Sequence, residues 1–130
     1  MSIAKLIYPP LTISVAAFAQ DCNNAQTQTE LNICTDTLYK NADKELNNIY
    51  SSYRATLDKT QKEALKNAQT AWIKYRDLSC AFEASSLAGD SAYAMVLNQC
   101  LAKKTKDRTE EIKELFFCEE GNIACPNGEK

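Results

Sequence analysis

The fold of this protein is decided by residues 27–57, which read TQTELNICTDTLYKNADKELNNIYSSYRATL. Apolar side chains recur there at steps of three or four residues, at Leu31, Cys34, Leu38, Ala42, Leu46, Ile49, Tyr53 and Leu57. This spacing is typical of an amphipathic helix that turns one face inward. Thr27 and Glu30 match a capping box, which marks the start of a helix. The stretch therefore predicts one long helix.

Two more apolar stripes follow toward the C terminus. Asp58-Lys59-Thr60 interrupts the first pattern, and Thr60 with Glu63 offers a second capping box. The second stripe consists of Leu65, Ala68, Trp72, Tyr75, Ser79 and Phe82. Gly89 stands where a glycine would end that helix. The third stripe, after Asp90 or Ser91 as a cap, consists of Tyr93, Leu97, Cys100 or Leu101, Ile112 and Leu115.

The three predicted helices are joined by short connections, and short connections favour antiparallel neighbours. A chain of 130 residues has room for one such domain. We therefore predict an all-α protein, an up-down-up three-helix bundle over residues 20–116 that is cross-linked by disulfides. Residues 117–130 are predicted to form a short C-terminal tail that a disulfide closes.

The first 19 residues, MSIAKLIYPPLTISVAAFA, have the features of a signal peptide. Lys5 precedes an apolar run over residues 6–18, and Ala17 and Ala19 are the small residues that a signal peptidase reads. The run is shorter than the roughly 20 residues of a membrane span. Cleavage before Gln20 would remove Lys5 and take the formal net charge from -2 to -3. We expect a periplasmic or secreted protein.

The chain has six cysteines, at Cys22, Cys34, Cys80, Cys100, Cys118 and Cys125. None forms a CxxC pair and the chain has no histidine, so the sequence predicts no metal and no cofactor. Export to an oxidising compartment favours three disulfides instead. Cys118 and Cys125 are expected to bridge each other within the tail. Cys22 follows Asp21 rather than a small residue, which argues against a lipid anchor in the membrane.

The predicted bundle leaves two pairings open for the other four cysteines. Cys80 and Cys100 each lie about ten residues from the turn at 89–90, so they stand level on antiparallel helices. Cys34 falls near the same end of the bundle. The disulfides are therefore Cys22–Cys34 with Cys80–Cys100, which the level positions favour, or Cys34–Cys80 with Cys22–Cys100.

Motifs on all three predicted helices, read together, carry a resemblance to known proteins. They are Asp43, Leu46, Asn47 and Tyr50 on the first helix, Gln69, Trp72, Arg76 and Asp77 on the second, and Thr105 and Arg108 on the third. With Cys22 and Cys34 added, the chain resembles the lysozyme-inhibitor LprI N-terminal-domain-like family of exported bacterial proteins over residues 21–115. The resemblance implies a helical bundle and, for the activity, an interaction with lysozyme.

The motif residues are expected to act mainly in the fold, with direct contact to a ligand as the alternative. The aromatic motif residues suit the core. The two arginines, Arg76 and Arg108, suit ion pairs across helices. Their expected partners are carboxylates such as Asp43 and Asp77, and such pairs would fix the register of the helices.

Catalysis is not expected from this chain. The absence of histidine removes the commonest general base. Two carboxylates alone can cleave glycosides, and Asp43, Asp77 and Glu83 are available. A bundle of this size, however, offers little concave volume for a sugar chain. The pI near 5.2 also argues against nucleic acid as a partner.

A protein partner is what these features favour. Five acidic residues crowd the end of the third helix and the tail, at Glu110, Glu111, Glu114, Glu119 and Glu120. They form a candidate docking patch for a cationic partner, and lysozymes are often strongly basic. The sequence thus predicts an exported, non-enzymatic binding protein, with lysozyme inhibition by steric occlusion as the first hypothesis. The alternative is a periplasmic adaptor or stress-associated protein with a bacterial partner.

Overall fold

The computed structural model describes residues 22–118 and 124–126. Within them lie three long helices, α1 over Gln28–Arg54, α2 over Lys59–Glu83 and α3 over Tyr93–Phe116, and a 3-10 turn over Ser85–Leu87. No strand occurs in these two ranges, and the predicted all-α fold is confirmed. The predicted signal peptide, residues 1–19, lies outside the described residues, so the domain boundaries stay predictions.

The three helices follow the predicted up-down-up order, so α1 and α3 run parallel. Near the start of both helices, Asn98 Nδ2 donates to the Asn32 carbonyl oxygen at 3.4 Å. Near the end of both, the ring centroids of Tyr53 and Phe116 lie 5.4 Å apart. The connections before and after α2 are short, and α2 runs in the opposite direction.

The caps of α1 and α2 agree only in part with the predicted ones. Thr27 caps α1 as predicted, since its Oγ1 accepts from the Glu30 N–H at 3.1 Å. The predicted box that starts at Thr60 is wrong. Asp58 caps α2 instead, because its Oδ1 accepts from the Gln61 N–H at 2.8 Å, and the helix begins two residues earlier.

Gly89 does not end α2, contrary to the prediction. The helix ends at Glu83, and Gly89 turns the chain between the 3-10 turn and α3. Its φ of 83° lies in the left-handed region that favours glycine. Asp90 Oδ1 then accepts from the Ala92 N–H at 2.8 Å, which orders the backbone just before α3.

Small buried residues allow α1 and α3 to approach closely. They are Thr35 and Ala42 on α1, and Ala102, Thr105 and Thr109 on α3. The backbones of these two helices are much closer to each other than either is to α2. The hydroxyls of Thr35 and Thr109 donate to backbone oxygens one turn earlier, at 2.8 and 3.1 Å, so each buried hydroxyl has a partner.

Large apolar side chains fill the end of the bundle near the turn between α1 and α2. The buried members of this cluster are Leu46, Tyr53, Leu57 and Ile112, and Ile49, Leu65, Trp72, Leu115 and Phe116 pack against them. Full burial of one such side chain contributes about 1.5–3 kcal/mol. The predicted stripes of α1 and α3 contribute to this cluster, but they did not include the buried threonines Thr35, Thr105 and Thr109.

The predicted inward stripe of α2 is wrong in half of its members. Ala68, Tyr75 and Phe82 are exposed, the two aromatic residues at 59% and 78%. The buried residues of α2 are Gln69, Arg76 and Cys80. The apolar pattern misses Gln69 and Arg76 because polar partners, rather than low polarity, allow them to be buried. A second apolar stripe of α2 consequently faces solvent.

Three disulfides cross-link the structure, Cys22–Cys34, Cys80–Cys100 and Cys118–Cys125. Of the two pairings that the sequence left open, the structure has the one in which Cys80 and Cys100 stand level. The first two disulfides join the segment before α1 to α1 and join α2 to α3. The third joins Cys118, two residues beyond the end of α3, to Cys125 in the tail.

The buried phenol of Tyr53 makes the free energy of unfolding depend on pH in the alkaline range. Burial raises the Tyr53 pKa, because it removes the hydration that the phenolate needs. The neutral Tyr53 phenol makes its full contribution to the free energy of unfolding below the ordinary tyrosine pKa of about 10. This contribution is lost as the pH rises through the higher pKa of the folded state. Tyr53→Phe should therefore lose less stability than the wild type between about pH 8 and pH 11. Urea unfolding at both pH values measures this, and equal losses in the two proteins would contradict it.

Candidate functional site

Arg76 is the centre of a cluster that the motif residues form in the middle of the bundle. It extends from α2 toward α1 and α3 and is only 5% exposed. Its Nη1 lies 3.6 Å from Asp43 Oδ1, and its Nη2 lies 2.9 Å from Asp77 Oδ1. Nη1 also donates to Thr105 Oγ1 at 3.3 Å. One buried side chain thus holds groups from all three helices.

The indole of Trp72 lies between two cations. The ring centroid is 5.3 Å from Arg76 Cζ and 5.8 Å from Arg108 Cζ. The ring of Tyr39, on α1, lies 5.3 Å from the same Arg76 carbon. Each cation–π contact contributes about 0.5–2 kcal/mol, and more where water is excluded. These rings therefore restrict both arginines and hold α2 against its neighbours.

Arg108 does not pair with either aspartate that the sequence predicted for it. Its Nε donates to Gln69 Oε1 at 3.0 Å, and its Nη1 lies 3.1 Å from Glu111 Oε1. Arg76 already contacts both aspartates, and Glu111 lies three residues along on the same helix, where side chains meet. Arg108 thus connects α3 to α2 through an amide rather than a carboxylate.

The remaining motif residues lie on α1 at different depths. Leu46 is fully in the core, at 1% exposure. Asn47 is exposed, and its Nδ2 donates to Asp43 Oδ2 at 3.3 Å. Tyr50 is half-buried, as is Trp72, so the aromatic motif residues border the core rather than fill it.

Tyr39 belongs to this cluster although the sequence did not single it out. Burial raises the Tyr39 pKa, Arg76 opposes the rise, and Asp43 and Asp77 add to it. The phenol therefore stays protonated at neutral pH. The signal that could have found it is its place four residues before Asp43, which puts both side chains on one face of α1.

Three grooves that the described residues line are small. One of 170 Å³ lies beside Trp72 and Tyr75, one of 240 Å³ lies between α1 and α3, and one of 220 Å³ lies at the end of the bundle near Pro126. Small-molecule sites usually measure about 300–1,000 Å³. The charged side chains of the Arg76 cluster pair with one another. The pairs fix the positions of the three helices relative to one another.

The candidate acidic patch lies only partly within the described residues. Glu110, Glu111 and Glu114 lie exposed on α3. Lys113 Nζ is 3.4 Å from Glu110 Oε2, and Glu111 pairs with Arg108. The predicted members Glu119 and Glu120 lie outside the described residues. Acidic and basic residues balance between positions 22 and 118, so the acidic excess of the chain lies in the flanking segments.

Residues 22–118 and 124–126 contain neither a metal-ligand cluster nor a membrane-spanning helix. No group of three or more acidic or cysteine side chains there could hold a metal ion. Over the same ranges, the length and apolar character needed to cross a membrane are found in no helix.

Comparison with known proteins gives two matches. The model of the family described as "Lysozyme inhibitor LprI" matches residues 19–112, from just before the first disulfide to the buried Ile112. An uncharacterised protein of Rhizobium meliloti (strain 1021) is 42% identical over 109 residues, which cover 74% of this chain and 78% of that protein. No solved structure matches.

Proposed function

The chain belongs to the lysozyme inhibitor LprI family, and from this premise we propose that it is an exported protein that binds a lysozyme and blocks its cleft. The observation that carries the proposal is the extent of the family match, residues 19–112, which takes in α1, α2 and most of α3. The chain acts in this proposal by steric occlusion and performs no reaction.

The rigidity of the bundle supports a binding role. Disulfides join Cys22 to Cys34 and Cys80 to Cys100, and the Arg76 side chain joins all three helices between them. A surface that is already fixed loses less conformational entropy on association. Disulfides also persist in oxidising compartments, which is where a lysozyme would be met.

The charge at the end of α3 supports a cationic partner. Glu110, Glu111 and Glu114 project from the last two turns, and Glu119 and Glu120 follow in sequence. An acidic patch raises the rate of encounter with a basic protein, most of all at low ionic strength. We propose that this end of the bundle faces the lysozyme.

A lysozyme activity assay tests the proposal directly. Hydrolysis of bacterial cell walls is measured with increasing amounts of the purified, oxidised protein. The rate should fall toward zero as the protein approaches a molar excess over lysozyme. The reduced and alkylated chain is the control and should inhibit far less, because it lacks the folded surface. Unchanged rates at micromolar oxidised protein would remove lysozyme as the partner.

Neutralising the patch should slow complex formation. The double variant Glu110→Gln with Glu114→Gln is expected to reduce the association rate constant about three- to tenfold at low salt, with a smaller effect as salt increases. The matched control is Asp36→Asn with Glu83→Gln, which removes the same charge near the opposite end of the bundle. Stopped-flow association kinetics measure both. Equal slowing by the two double variants would contradict a localised patch.

A further inference from the structure

The outward face of α2 carries a regular apolar seam. Its members follow one another at steps of four, three, four, three and four residues, at Ala64, Ala68, Ala71, Tyr75, Leu78 and Phe82. All six are exposed, and the three large ones have exposed fractions of 59%, 62% and 78% in chain order. None of the six carries a charge. The seam lies on a different face from the buried residues of α2.

This spacing is that of a helix that packs along another helix. Alternating steps of three and four residues place side chains at the a and d positions of a coiled coil, whose repeat averages 3.5 residues. At 1.5 Å per residue the seam extends over about 27 Å, most of the length of α2. Exposed apolar side chains scattered singly are ordinary on a protein surface, but a continuous row of them marks an interaction surface.

We propose that this seam packs against the same seam of a second copy of the chain, with the two α2 helices antiparallel. The argument is the order of sizes along the seam, which has alanines in its first half and large side chains in its second half. Antiparallel pairing about a two-fold axis between Ala71 and Tyr75 matches all six positions. The facing pairs are Ala64 with Phe82, Ala68 with Leu78, and Ala71 with Tyr75, each residue from a different copy.

Every large side chain then meets an alanine, which is the complementarity that close helix packing requires. Parallel pairing in register would instead set Phe82 against Phe82 at one end and leave facing alanines with a gap at the other. The antiparallel arrangement also sets the two helix dipoles in opposite directions, so that their ends of opposite charge lie near each other. The size order of the seam therefore selects both the partner and its direction.

The area of the seam sets how tight this contact is. A tyrosine, leucine or phenylalanine side chain has roughly 150–250 Å² of surface, so the exposed fractions leave about 400 Å² on each copy before the alanines are added. A standard interface buries about 800 Å² per partner. The contact is therefore smaller than that of a stable dimer and of the size found in weak, transient complexes, so the dimer forms and dissociates with concentration.

Sedimentation equilibrium of the oxidised protein from micromolar to millimolar concentration tests this. The average mass should rise from that of one chain toward that of two. Added salt should not dissociate the dimer, because none of the six seam side chains carries a charge. Leu78→Glu with Phe82→Glu should weaken dimerisation at least tenfold. Ile33→Glu, at a 63% exposed residue on α1, is the control and should leave it unchanged. A monomer at all concentrations, or equal effects of the two changes, would overturn the proposal.

Two further measurements distinguish a lost dimer contact from a misfolded variant and report the direction of pairing. Because the substituted side chains are exposed, far-ultraviolet circular dichroism and urea unfolding should show both variants folded with stability close to the wild type. Benzoylphenylalanine in place of Phe82 reports the direction of pairing. Its photo-cross-link should fall in the tryptic peptide over residues 63–66 of the other copy, and a cross-link around residues 77–84 would overturn the antiparallel arrangement. None of these measurements involves lysozyme.

Discussion

Replacing Cys80 and Cys100 together by alanine should lower the free energy of unfolding by about 3 kcal/mol, the value expected for a disulfide that closes a loop of this length. The two residues are 20 positions apart, and the loop contains the end of α2, the 3-10 turn and the start of α3. Without the disulfide the unfolded chain gains freedom, while Cys80, which is fully buried, leaves only a small space as alanine. Urea unfolding of the oxidised proteins measures the difference.

The tail disulfide provides the matched control for this change. Cys118→Ala with Cys125→Ala removes a loop that lies beyond α3 and contains no part of the three helices. This disulfide closes a loop of 7 positions rather than 20, so the unfolded chain gains less freedom when it is removed, and the bundle should lose less stability. Equal losses from the two double variants would contradict the view that the Cys80–Cys100 disulfide specifically joins α2 to α3.

Arg76→Ala should cost a similar amount, about 2–4 kcal/mol, through lost packing and lost cation–π contacts rather than through stranded charges. Asp43 and Asp77 keep side-chain exposures of 40% and 55%, so both carboxylates stay hydrated when the guanidinium is gone. Thr105, in contrast, is fully buried, and its hydroxyl oxygen loses a donor.

Lys74→Ala is the control for that variant, since Lys74 is exposed on the same helix and its loss should change stability by no more than about 0.5 kcal/mol. Arg76→Lys should fall between the two, because an ammonium cannot reproduce the planar contacts with Trp72 and Tyr39. Urea unfolding followed by Trp72 fluorescence measures all three. A loss below 1 kcal/mol for Arg76→Ala would show that the cluster does not hold the helices together.

The course of α1 could be predicted from the sequence, and the buried face of α2 could not. None of the eight members of the first apolar stripe is exposed, so hydropathy alone identifies this face, although Leu57 lies beyond the end of α1 at Arg54 and the buried Thr35 is not part of the stripe. On α2 the buried face includes Gln69 and Arg76, whose partners Arg108, Asp43 and Thr105 belong to other helices. The apolar pattern of a single helix predicts that Tyr75 and Phe82 are core residues, although both are exposed. It cannot identify Gln69 and Arg76 as buried, because their polar partners lie on other helices.

The same reason limits what could be predicted of the site. The level positions of Cys80 and Cys100 follow from counting residues to a turn, and the structure has that disulfide. The partner of Arg108 cannot be predicted by counting residues along the chain, because both candidate aspartates pair with Arg76 instead. Tyr39 shares a face of α1 with Asp43, but its contact with Arg76 appears only when α1 and α2 are placed side by side.

The most direct test of the proposal that this protein binds lysozyme and blocks its cleft is native mass spectrometry. The sample is an equimolar mixture of the oxidised protein, lysozyme and chitotriose, a short oligosaccharide that occupies the lysozyme cleft. We expect a complex of one lysozyme per chain that carries no sugar, sugar bound only to free lysozyme, and unchanged masses for both proteins. A complex that also holds chitotriose, an altered mass of either chain, or no complex at all would contradict it.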